Sequence, residues 1–362
     1  MKILILTILL TFLKASSFGQ DNDTWIAFWN KDTTLIGYKD KNGLVKIEPK
    51  FQSGFTIANT FDKIIAVTEV INQDWKSYYL TKSGRIVGKD SLHIFDNGSD
   101  CESEGFIRFR DPKTDKVGMF NRNGDIVIPA EYNEMTRVRN GLISALKGAK
   151  KKIWKGGEHY SWLGGKTVLI DTSNKILVDS FRNSYNINFF SLVISPRPDT
   201  SKNRQSFKTI NGNYFSFIDF DKEFRYWLKN LLLGNLTKID LLDASYKEVT
   251  YWNDTTGWTS VPKESFFDRN YELIKDKLFH LSVQESDYSI IDEGLNPFIY
   301  EPGKYGEYFN DCGEPKDWIY PVKNIVISYR EGKSILQDNI EFLRTDKGYK
   351  LISVSIRKGT VK

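Results

Sequence analysis

"KVGMFNRNGDIVIPAEY", residues 116–132, reads as one β-hairpin, and the chain writes it three more times. "LIGYKDKNGLVKIEPKF" (35–51) and "KSYYLTKSGRIVGKD" (76–90) keep the same order, and "KTVLIDTSNKILVD" (166–179) is a looser copy. Aligned on Gly43, Gly84, Gly124 and Asn174, the copies lie 41, 40 and 50 residues apart. Three positions before each anchor stands Asp40, Thr81, Asn121 or Asp171, and two positions after it Val45, Ile86, Ile126 or Ile176. A side-chain oxygen at the first of these positions opens a type I turn, and the anchor closes it in the left-handed conformation. Glycine does this without steric cost, and asparagine is its usual substitute.

One hairpin cannot bury its own apolar face, so a period near ~40 residues predicts a mainly β repeat domain of stacked or propeller-like hairpin units. A third strand accompanies the hairpin, as in Phe106–Phe109 before the third copy and Leu142–Leu146 after it. The motif resembles the WG-containing repeat family, found mainly in bacteria. Gly37-Tyr38-Lys39-Asp40 and Gly118-Met119-Phe120-Asn121 match the opening of its unit. Glu48-Pro49-Lys50-Phe51 and Pro129-Ala130-Glu131-Tyr132 match the middle, and Asn140-Gly141-Leu142-Ile143 the end. The name-giving tryptophan is replaced by Ile36, Ser77, Val117 and Thr167. The resemblance spans about residues 30–180. It implies repeat architecture and binding, with no shared catalytic residue to carry over.

The alternation stops at "SPRPDTSKNRQ", which reads as a linker over 196–211 between a repeat domain (20–195) and a C-terminal domain (212–362). Beyond it, Phe224, Trp227, Leu228, Leu231 and Leu232 fall on one helical face, opened by Asp221 and closed by Gly234. A second helix is expected from Pro262 to Leu281. Alternating runs after residue 325, joined at Gly332 and Gly348, predict antiparallel hairpins. The expected fold is therefore α+β with an antiparallel sheet. That element order resembles the nuclear transport factor 2-like cone fold, which implies a curved antiparallel sheet, an apolar pocket and a small-molecule carrier as one functional reading.

At the start, Met1-Lys2, the 11-residue apolar run Ile3–Leu13 and the small residues Ser17 and Gly19 have the order of a signal peptide (1–19) cut between Gly19 and Gln20. No later segment is apolar enough to span a bilayer, so an exported, periplasmic or extracellular protein is expected. Its 51 basic and 46 acidic residues are interspersed, which argues against a nucleic-acid stripe. Cys101 and Cys312, the only cysteines, lie in different halves. They pair in an oxidising compartment or stay as two separate buried thiols, the latter slightly favoured.

Catalytic chemistry is scarce. The histidines His93, His159 and His280 lack metal-ligand spacing, so no metal and no cofactor is expected. Glu307, Asp311, Glu314 and Asp317 cluster beside Tyr308 and Trp318, and paired carboxylates beside aromatics are what glycoside hydrolysis uses, so a carbohydrate-active hydrolase is an alternative. The same residues also read as a solvated polar loop. The fourth copy is displaced by an insertion that carries Lys150, Lys151, Lys152, Trp154, Tyr160 and Trp162 between glycines. Positive charge with stacking faces suits an anionic glycan or a protein partner, and a longer solvated hairpin is the plainer reading. The favoured function is a non-enzymatic binding module with an unidentified protein or glycan partner.

Overall fold

A computed structural model describes residues 24–361 apart from 96–97, 158, 183, 284–287, 358 and 360. The signal-like segment 1–19 and its Gly19/Gln20 junction lie outside the described residues. Antiparallel β-sheets dominate the first two thirds, and a smaller α+β region follows.

At the four anchors φ is positive: 86° at Gly43 and Gly84, 77° at Gly124 and 66° at Asn174. The Asn121 side chain accepts from the N–H groups of Asn123 (2.9 Å) and Asp125 (3.0 Å), and Asp40 and Asp171 do the same in their own turns. Each turn is closed by two backbone bonds, from the opener to the residue after the anchor and from the anchor back to the opener. Thr209–Asn213 has the same two bonds, 2.8 and 3.1 Å, around Gly212 at φ 89°. It is a fifth copy, 38 residues beyond Asn174. Strand Arg204–Lys208, inside the stretch expected as a linker, leads into it and strand Tyr214–Asp219 leads out.

Units one and two merge into a seven-stranded sheet, curled as a half-barrel around Tyr38, Phe51, Phe61 and Val67. Alternate side chains on its strands then serve opposite neighbours, because the strand period is two. Ile65 and Val67 pack inside unit one and two, whereas Ile64, Ala66 and Tyr79 pack on Ile107, Phe109 and Phe120 of unit three. Val117 and Met119 of unit three meet Ile143, Ala145, Val168 and Ile170 of unit four. Leu142 and Leu169 pass the contact on to Phe181, Phe189, Phe207 and Phe217 around the fifth hairpin. Among the described residues the core clusters link each unit to the next, and none joins the first unit to the last.

The glycine of the repeat motif has a steric reason. A Cβ at Gly37 would lie 2.5 Å from the Ile47 carbonyl oxygen, and one at Gly118 2.7 Å from that of Ile128. The ladder register shifts at both places, where the next strand bulges across the glycine and brings in Pro49 or Pro129. Units two and four carry Tyr78 and Val168 at that position, and their third strands shrink to Ile86–Val87 and Ile176–Val178. In both units the glycine and the proline element are missing together.

The C-terminal region is a six-stranded sheet with helix Lys263–Val283 on one face, burying Phe266, Phe267, Ile274 and Leu278. That helix begins just after Pro262, which ends strand Gly257–Pro262 instead of opening the helix. The earlier helix spans Phe220–Trp227 and passes into a π-turn at Leu228–Leu232. Asp219, not Asp221, caps it, accepting from the N–H groups of Asp221 and Lys222. Strands Val322–Glu331, Ser334–Thr345 and Gly348–Ser355 form the expected meander. Across the other face lies a strap in which Leu295, Tyr300, Tyr305, Tyr308 and Phe309 cover Val322, Leu343 and Ile352.

Candidate functional site

The acidic cluster sits at the tip of this strap. Asn310 opens a turn closed at Gly313 (φ 74°), and its side chain accepts from Cys312 N–H (3.0 Å) and Glu314 N–H (2.9 Å). Asn310-Asp311-Cys312-Gly313 thus repeats the turn grammar of Asn121-Arg122-Asn123-Gly124. The turn aims Cys312 and Glu314 at the repeats. Cys312 is bonded to Cys101, so the cysteines pair and the separate-thiol expectation is corrected. The Asp311 carbonyl accepts from Asn59 N–H at 2.8 Å. Both Glu314 oxygens receive Arg137, and one also receives Asn310. Glu307, Asp311 and Asp317 are exposed, and the Arg139 guanidinium lies 4.8 Å over the Trp318 ring.

Behind Arg137 is Asp100, whose side chain is fully buried. It accepts from the Arg108 backbone N–H (2.9 Å), from Arg108 Nε (3.0 Å) and Nη2 (2.6 Å), and from Arg137 Nε (2.7 Å). Burial alone would raise its pKa, but Arg108 and then Arg137 outweigh burial and hold the carboxyl far below the usual range. The cluster is therefore a clamp between the two regions. Of the four carboxylates, Glu314 is the one paired with the Arg137 guanidinium.

The insertion takes the opposite form. Lys150–Ile153 and Tyr160–Leu163 pair only with each other, as a separate two-stranded sheet. At its root, Asn133 donates to the Ala149 carbonyl (3.0 Å) and accepts from Ala149 N–H (2.9 Å), in place of a ladder. Gly165 allows the close return, since a Cβ there would stand 2.8 Å from Ala149 N and Lys147 O. On one side Lys151 reaches Asp115 at 2.7 Å and lies 4.0 Å over the Tyr160 ring, which fastens the hairpin to unit three. Tyr160 in turn meets Trp162 edge-on at 5.6 Å.

On the other side, Trp154, Ser161 and Leu163 line an open cleft of about 440 Å³ with Lys152, Ile153 and Lys155. Trp154 stands at the turn, its Nε1 donating to Ser161 Oγ at 3.2 Å. Ile153 is 64% exposed, Trp154 61% and Leu163 51%. Lys150, Lys152 and Lys155 are exposed around them. These large apolar side chains are held out from the body of unit three and unit four. Gly148 and Gly156, within this insertion, have positive φ like the anchors, so they share the same backbone demand.

Among the described residues no group of three or more His, Cys, Asp or Glu could hold a metal ion. Asp100, Arg108, Arg137 and Asn133 were not singled out by the sequence, and no local pattern marks them. The strap turn was marked, by the Asn-x-x-Gly spacing it shares with the repeats.

Residues 118–150 match the family model of the WG containing repeat. The match runs from Gly118 through the third hairpin and the first strand of unit four to the start of the lysine-rich hairpin. No curated protein matches the chain.

Proposed function

We propose that the protein is an exported, non-enzymatic interaction module that holds an anionic partner with the hairpin Lys150–Leu163. The observation that carries this reading is the exposed Ile153-Trp154 tip among lysines, on a hairpin fixed at its root and on one side. A repeat-type β scaffold supports it, since such scaffolds present loops rather than enclose chemistry. The two regions divide near Asp219, where the last repeat-type strand ends and the first helix begins. The carrier reading has less support, because Phe224, Trp227, Phe342 and Tyr349 fill the space between the six-stranded sheet and the first helix.

Export is favoured by the Cys101–Cys312 bond, which persists in an oxidising compartment and not in a reducing one. Protein from its native host is expected to begin at Gln20. An intact mass that still includes Met1 would remove the export reading.

Partner binding is checked with the full mature chain on an immobilised sulfated polysaccharide. The variant Lys150→Ser/Lys152→Ser/Lys155→Ser is expected to elute at clearly lower salt than the parent, at unchanged Tm. Equal elution would show that the hairpin is not the anionic contact.

A further inference from the structure

We propose that the partner of this hairpin is the surface of an anionic lipid bilayer, and that the Ile153-Trp154 tip enters its interfacial layer. The inference rests on the anionic-partner reading and names its occupant. Charge is the first argument. Residues 147–166 hold six lysines, no arginine and one acid. Recognition of sulfate or carboxylate groups one at a time favours the planar fork of arginine, whereas lysine acts as a point charge on a flexible apolar stem. Such stems lie along an apolar surface and lift the ammonium to the headgroups.

The shape of the apolar part gives the second argument. Ile153, beside the turn, is aliphatic and more than half exposed, so it gains more from hydrocarbon than from stacking on a pyranose ring. Trp154 is the residue type that settles at a membrane–water interface, with its ring in the apolar layer and its N–H at a polar atom. Here that N–H is already satisfied by Ser161 Oγ, so the indole carries no unmet polar group into the interface.

Dimensions give the third. Four residue pairs are separated by three strand rises, roughly 10 Å, which matches the ~5–10 Å to which interfacial segments bury their apolar faces. Lys150 and Lys152 then lie behind the tip at headgroup level, while Lys151 stays on Asp115 and holds the angle of entry. No helix among the described residues is long and apolar enough to cross a membrane, so attachment through the hairpin is peripheral.

The test uses the full mature chain with vesicles of phosphatidylglycerol and phosphatidylcholine, against vesicles of phosphatidylcholine alone. Binding is read by co-sedimentation, and tip entry by a blue shift in tryptophan emission that Trp154→Phe removes. The mixed vesicles are expected to bind the protein in a salt-sensitive way. Lys150→Ser/Lys152→Ser/Lys155→Ser should weaken binding about 100-fold, from the usual increment per basic residue near an anionic surface. Trp154→Ala should weaken it about tenfold or more through lost apolar burial. Retention on the sulfated polysaccharide without binding to either vesicle would overturn the lipid proposal and leave the anionic-partner reading standing. Failure on both supports would overturn both. Equal binding to the two vesicle types would also overturn it, because charge would then select nothing.

Discussion

Serine at both Cys101 and Cys312 is expected to destabilise the folded chain by about 5 kcal/mol, the chain-entropy value for a loop this long. The bond closes 211 residues, a span that takes in units three to five and most of the C-terminal region. Reduction leaves the strap tip held by the Asn59–Asp311 backbone bond and the Arg137–Glu314 pair. Both contacts then have to be found by diffusion of a long loop. The change is read as a lower urea midpoint for the Cys101→Ser/Cys312→Ser chain, and for the parent in dithiothreitol. Faster proteolysis at Lys316, just beyond the tip, should accompany it. Matching midpoints with and without the bond would show that the clamp holds without it.

What could be read from the sequence was local. The turn grammar needs only an Asp, Asn or Thr, two further residues and a glycine or asparagine, so four hairpins and their period were visible before any contact was known. The fifth was hidden because its leading strand, Arg204–Lys208, follows a polar, proline-containing stretch. Its pairing is also inverted: Ile187–Ser195 joins Tyr214–Asp219 instead of the strand that enters the turn. The same grammar was present at Asn310–Gly313, where four nearby carboxylates suggested chemistry instead of a turn. Insertion length and composition exposed the lysine-rich hairpin, but they treated its three consecutive lysines alike. Alternation separates them: Lys151 turns back to Asp115, and Lys150 and Lys152 lie on the opposite face. The clamp itself left no trace, since its members meet across 37 and 177 residues and each alone is an ordinary charge.

Asp100→Asn, the second large effect, should cost about 3–5 kcal/mol, the usual penalty for removing one member of a buried ionic group. The amide keeps the volume but leaves Arg108 and Arg137 facing each other, with Glu314 still paired to Arg137 alone. Its own NH₂ also points donors at donors. Arg108 and Arg137 each touch other anchors, the Met135 carbonyl and Glu314, so the defect reaches both sides of the clamp. A pH series separates this cause from simple mispacking. The Asp100 pKa is depressed in the folded state, so its stabilisation is complete above the unfolded carboxylate value and is lost as pH falls toward the folded one. The gap between parent and Asp100→Asn should therefore be constant from neutral pH down to about 4 and shrink below it. Urea midpoints across that range measure the gap. A gap that stays constant into strong acid would mean that shape, not charge, accounts for the loss. Asp100→Asn combined with Arg137→Met should recover part of the stability, because the uncompensated guanidinium leaves with its partner. No recovery would place the cost on Arg108 alone.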